Sequence, residues 1–204
     1  MNRRLVLLSL ATFAMAPGCA VLSEPEPPVV YRLAPPPPSP VETRPISLRV
    51  SAAPSPALVD SQRIALGLTA EKIDVYADAL WADRVPNLVV QAVIEAMRTS
   101  GAYARVSGAG GERGDWVLRL AVPVFEARYD GAATTTPPRV VTAVHANLRM
   151  APGGTPLEES FTSETRAASA RLDDIVAAFN RAYGETQAAL LAWVYAQVPG
   201  EPPG

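Results

Sequence analysis

One cysteine, Cys19, and one histidine, His145, limit the chemistry open to this chain of 204 residues. A zinc site needs several converging Cys, His or carboxylate ligands, and a Cys–His nucleophile pair needs a free thiol beside a base. With a single cysteine no internal disulfide forms. His145 lies in "VVTAVHANLRM", on the polar side of an alternating stretch, opposite Val144 and Ala146. That place suits an exposed neutral side chain better than a catalytic one. Serine catalysis needs a nucleophile elbow, and neither "GTPLEES" nor "RTSG" offers one. "GAGGERG", residues 108–114, lacks the Lys-Ser/Thr of a phosphate loop and runs into a strand, so it reads as a flexible loop. Asp78 with Asp83, and Glu158 with Glu159, are carboxylate pairs of a kind common on surfaces. The expectation is a binding or scaffold protein: no enzyme, no cofactor and no metal.

What remains for the thiol is acylation. Arg3 and Arg4 form a positive start, and "LVLLSLATFAM" (5–15) is an apolar run. Such a run is too short for a bilayer core of ~30 Å, which needs about 20 residues, and it fits a cleaved export signal over 1–18. Ala16, Pro17 and Gly18 lead into Cys19, an order that resembles a bacterial lipobox, with Ala16 where Leu is usual. A thiol can form a thioether to a diacylglycerol; a serine there could not. The other reading is an ordinary leader cut nearby, with an incidental cysteine. A leftover free thiol in an oxidising compartment is a liability, which counts against it. Loss of Arg3 and Arg4 makes the remainder two charges more acidic than the whole chain's −2. Charge would not hold such a protein on anionic lipid, so acyl chains, palmitate among them, must do so at ~0.8 kcal/mol per buried CH₂. Ala20 is not the Asp that signals inner-membrane retention, which favours the outer membrane. The absence of a basic excess also argues against nucleic acid.

The elements behind the anchor follow from periodicity. Residues 19–45 are proline-rich and read as an extended tether that packs no core of its own, interrupted by the strand-like Tyr31-Arg32-Leu33. A folded domain is expected over 46–199, with a disordered tail at 200–204. "ISLRVSA" (46–52), "RIALGL" (63–68) and "KIDVYAD" (72–78) alternate as strands, with a turn at "TAE". Residues 85–98 switch to helical spacing, with Pro86 in the first turn and Gly101 as the stop. Longer strands are expected over 115–130, 139–150 and 156–167, the last exposed. Pro123 suggests an edge or bulge that lets Phe125 and Tyr129 change face. A helix over 172–197 carries Gly184 in its middle, at a cost of ~1 kcal/mol relative to Ala, as if something packs close there. This is an α+β pattern: a mainly antiparallel β-sheet with two amphipathic helices packed on one face.

"VYADALWADRVPNLVVQAVIEAMRTSGAYARV" (75–106), the lipobox, Tyr31-Arg32-Leu33 and "IVAAFNRAYGETQAALLAWV" (175–194) together resemble the ABC-type transport auxiliary lipoproteins, the family of the PqiC lipoprotein. The resemblance covers nearly the whole mature chain. It implies a lipid-anchored partner of an MCE-domain ABC transporter that moves lipids between the two membranes of a Gram-negative envelope, with no catalytic residues to carry over. Competing functions are a stand-alone lipoprotein for outer-membrane assembly or apolar-ligand binding and, behind it, an envelope hydrolase. Self-association into a homo-oligomer stays open.

Two aromatic residues are candidate partner-binding sites. Trp81 lies just before the first helix, where its ring can be an interface hot spot or can plug the core between sheet and helix. Tyr103, after that helix, carries the same pair of readings.

Overall fold

The computed structural model describes residues 27–129, 131 and 134–200. Cys19, the leader and residues 201–204 lie outside them. In chain order the elements are β1 (Val29–Tyr31), β2 (Arg44–Ala52), β3 (Arg63–Gly67), β4 (Ile73–Trp81), α1 (Val85–Ser100), β5 (Tyr103–Ser107), β6 (Trp116–Arg128), β7 (Arg139–Met150), β8 (Leu157–Arg166) and α2 (Leu172–Gln197). This is the expected α+β class.

The long strand β6 organises the sheet. One of its edges pairs antiparallel with β7, which in turn pairs with β8. Its other edge is shared: Trp116–Leu120 pair parallel with β2, and Glu126–Arg128 pair parallel with β3. The division falls at Pro123, which has no N–H to give a ladder. The register with β7 shifts between Ala121 and Val124. On one side of that shift Leu118, Leu120 and Val122 are buried; on the other Phe125 and Ala127 are. The bulge therefore moves the buried set from even to odd positions, as Pro123 suggested. Outside these strands, β5 pairs parallel with β2, β4 antiparallel with β3, and β1 parallel with β4.

Both helices cover one face. Pro86 opens α1, and Gly101 closes it in the left-handed region at φ 69°. The buried stripe of α1 takes in Val90 and Ile94 and leaves Leu88 and Ala92 half-covered. Thr142 of β7 meets Thr186 of α2 through their hydroxyls at 2.8 Å, so the one fully buried polar pair at this contact is satisfied. Gln187 Nε2 donates to the Ala92 carbonyl of α1 at 2.9 Å. In β4 only the end turns inward: Ala79 and Trp81 are buried, while Ile73 is exposed.

The segment expected as a free tether differs most. Residues 29–44 lie on the domain, and the folded unit starts well before Ile46. Tyr31 Oη donates to Asp173 Oδ1 at 2.8 Å, and Ala34 N–H donates to Asn180 Oδ1 at 2.9 Å. A Cβ on Gly184 would come 2.7 Å from Pro36 Cδ. Partners at 173, 180 and 184 for residues 31, 34 and 36 have the spacing expected of polyproline II geometry beside a helix. That geometry advances about 3.1 Å per residue against about 1.5 Å for a helix, so each strap residue covers two residues of α2. Prolines can lie along a helix this way because they bring no N–H that would need a partner.

Candidate functional site

Among the described residues, no group of three or more His, Cys, Asp or Glu side chains converges to hold a metal ion. His145 pairs with Ser160 Oγ at 3.0 Å across β7 and β8, with Glu158 4.0 Å from its Nε2. The arrangement is a polar cross-strand pair. No described helix is long and apolar enough to cross a membrane.

Trp81 does not lie on a surface patch; of its two readings, interface anchor or core plug, its burial fits the core plug. It is 1% exposed. Its ring lies edge-on to Phe125 at 5.7 Å and to Phe179 at 5.3 Å, and those two rings stack at 4.9 Å. The reason is the inward turn at the end of β4, over which α2 closes with Phe179. Tyr103 is buried too, at 7% exposure, and its hydroxyl finds no hydrogen-bond partner. Burial pushes its phenol above the ordinary value, against the lowering effect of Arg44 nearby. It forms part of a wall.

The region that these residues surround is the strap and the two helix faces beneath it. Beyond Pro36 the chain leaves α2 and crosses to the end of α1. Val41 N–H donates to the Ser100 carbonyl at 3.0 Å, and Thr43 Oγ1 donates to the Gly101 carbonyl at 2.7 Å. Both acceptors belong to the unpaired carbonyls that any helix end leaves. Tyr195 Oη returns to the Glu42 carbonyl at 3.2 Å. Arg44 completes the clasp: its guanidinium lies 3.6 Å from the Tyr195 ring centre and donates to the Tyr195 and Val198 carbonyls. The last turn of α2 has no basic residue of its own. Arg44 supplies from β2 the positive charge that a helix C-terminus favours.

Two grooves flank the strap. One, of about 400 Å³, runs between Leu33–Pro38 and the Leu88, Ala92 and Glu95 side of α1. The other, of about 350 Å³, lies where Val41, Met97, Tyr103, Leu191 and Tyr195 meet. The half-covered Leu88 and Ala92 are thus explained: they face the strap. Sequence reasoning missed this site because it weighed 31–45 by its prolines. The one signal for it was Gly184, whose missing side chain leaves room for Pro36.

A family model described as the ABC-type transport auxiliary lipoprotein component matches residues 31–190. The match begins at Tyr31, the first residue of the strap to touch α2. No curated protein matches. Among solved structures, protein XCC0632 from Xanthomonas campestris, of family model DUF330, is 24% identical, with a TM-score of 0.73 over 82% of this chain and 95% of that one. A crystal structure of an uncharacterized protein is 17% identical, with a TM-score of 0.64 over 83% of this chain and 99% of that one. At such identities these likenesses speak for the fold.

Proposed function

Since the chain belongs to the ABC-type transport auxiliary lipoprotein family, we propose that it is the non-catalytic docking component of an MCE-type transporter. In this reading acyl chains on Cys19 hold it at the periplasmic face of the outer membrane, and an MCE-domain subunit is its partner in moving lipid between the two membranes. The observation that carries the reading is the clamped strap. Because the chain is fixed to the helices from Tyr31 onward, only residues 19–28 separate the anchor from the domain, and they reach at most about 35 Å. A domain held that close presents its surfaces at a set height above lipid, which suits docking.

The test is fractionation followed by capture. The wild-type lipoprotein should sediment with membranes and bring down an MCE-domain subunit from envelope extracts. Cys19→Ser should appear in the soluble periplasmic fraction. If Cys19→Ser still sediments after a high-salt wash, the anchor is something else; if wild type brings down no transporter subunit, the docking role is wrong. A stand-alone carrier of apolar ligands is the second reading, and the 350 Å³ groove favours it. Lipid extracted from the purified protein, with no co-purifying subunit, would select that reading.

A further inference from the structure

The outer face of the sheet, away from the helices, gathers arginines. Arg49 of β2 is opposite Val117 of β6, and Val117 is opposite Arg149 of β7, so the three form one row across the sheet. Arg113, from the loop before β6, joins Arg49 and Arg149 around a cup of about 510 Å³ floored by Val117. Arg119 stands on the same face one row further along and is exposed. One acid lines the cup, Asp115. Its Oδ2 accepts from Ser47 N–H at 2.8 Å and Ser47 Oγ at 2.7 Å, and these bonds hold its carboxyl below the usual carboxylate range. Glu112, next to Arg113 in the chain, is engaged with Arg105 at 2.5 Å, and Glu158 of β8 with Asn147 at 2.7 Å.

Among the described residues, no carboxylate pairs with Arg49, Arg113 or Arg149, whereas Arg84, Arg105, Arg128 and Arg139 all have one. Three guanidiniums and one carboxylate leave the cup strongly positive in a chain whose net charge is −2. Three elements bring the arginines in from different directions. Arg49 is held by a bond from its Nη2 to the Ala109 carbonyl, and it keeps donors to spare. Gly114 lets the loop press onto β2: a Cβ there would stand 2.8 Å from Arg49 N. Forked donors lining one cup suit a tetrahedral, multiply charged oxyanion better than a single planar carboxylate.

We propose that this cup binds a phosphate ester, either the headgroup phosphate of a phospholipid or a soluble phosphate ester. The site is independent of the partner proposed above and of the strap. Its test is titration calorimetry in chloride buffer, on the full mature chain in an uncharged, phosphate-free detergent. The probes are inorganic phosphate, glycerol 3-phosphate, a short-chain phosphatidylglycerol and, for comparison, a glutamate-rich peptide. Saturable one-to-one binding is expected, at least tenfold weaker in Arg113→Ala/Arg149→Ala with an unchanged melting temperature. Phosphatidylglycerol binding much more tightly than glycerol 3-phosphate points to the headgroup; equal binding points to the soluble ester. Should the double variant not fold, Arg113→Gln in the exposed loop should still weaken binding threefold or more. The proposal fails if the folded wild type takes up none of the probes, or if these variants bind as well as wild type. It fails equally if only a glutamate-rich peptide binds, which would make the cup a protein interface.

Discussion

Arg44 and Arg49 stand five residues apart on β2 and face opposite sides of the sheet. Arg44 points to the helices, where its guanidinium is taken up by two carbonyls and the Tyr195 ring. Arg49 points outward to a cup shared with Arg113 and Arg149, and among the described residues no carboxylate pairs with it. The strand alternation that puts Ile46, Leu48 and Val50 in the core thus divides two identical side chains between different tasks. The helix side is largely filled: rings, helix-end carbonyls and prolines pack there, and what stays open are the two apolar grooves beside the strap. The outer side keeps charge unspent. Structure is to be sought on the first side, and ligands of the charged kind on the second.

The largest test of this division is Trp81→Ala. If the helix side is filled core, removing a ring packed against Phe125 and Phe179 should cost about 3–5 kcal/mol, read as a large fall in melting temperature. An unchanged melt would show the ring to be dispensable and would return Trp81 to the role of a surface anchor. A finer test compares the two arginines directly. Arg44→Ala should destabilise by about 2 kcal/mol, the scale of charged hydrogen bonds lost from partly buried carbonyls. Arg149→Ala should stay within about 0.5 kcal/mol of wild type, as surface changes do. Equal losses in denaturant titrations would erase the distinction between the faces.

Much of this fold was legible where a residue's effect is local. Pro123 announced the bulge and the change of face because a missing N–H breaks any ladder. Gly101 and Pro86 marked the ends of α1 because their backbone preferences hold whatever surrounds them. The alternation of 139–150 and the period of 172–197 matched β7 and α2 closely. What could not be read is partnership at a distance. Nothing in 46–52 says that β2 pairs parallel with both β5 and β6. Trp81 carried both a core and a surface reading, and Phe125 and Phe179, the latter almost a hundred residues on, decide between them. The strap was hidden for the same reason. Its prolines carry no periodicity, and its hold on the domain comes from single bonds scattered over Asp173, Asn180, Ser100, Gly101 and Tyr195. The arginine cup is assembled by cross-strand register, and spacing along the chain gives no hint of it.

The central claim is that the proline-rich segment is part of the folded domain. Amide hydrogen exchange at Val41 in the full chain tests it most directly, because that N–H has one stated partner, the Ser100 carbonyl at 3.0 Å, and protection reports whether the bond persists. Gly184→Val, which drives a side chain into Pro36, serves as the lifted-strap reference. The account predicts that Val41 exchanges much more slowly in wild type than in an unstructured peptide, and that Gly184→Val loses most of that protection. Exchange in wild type at the unstructured rate would contradict it and make the segment a free tether.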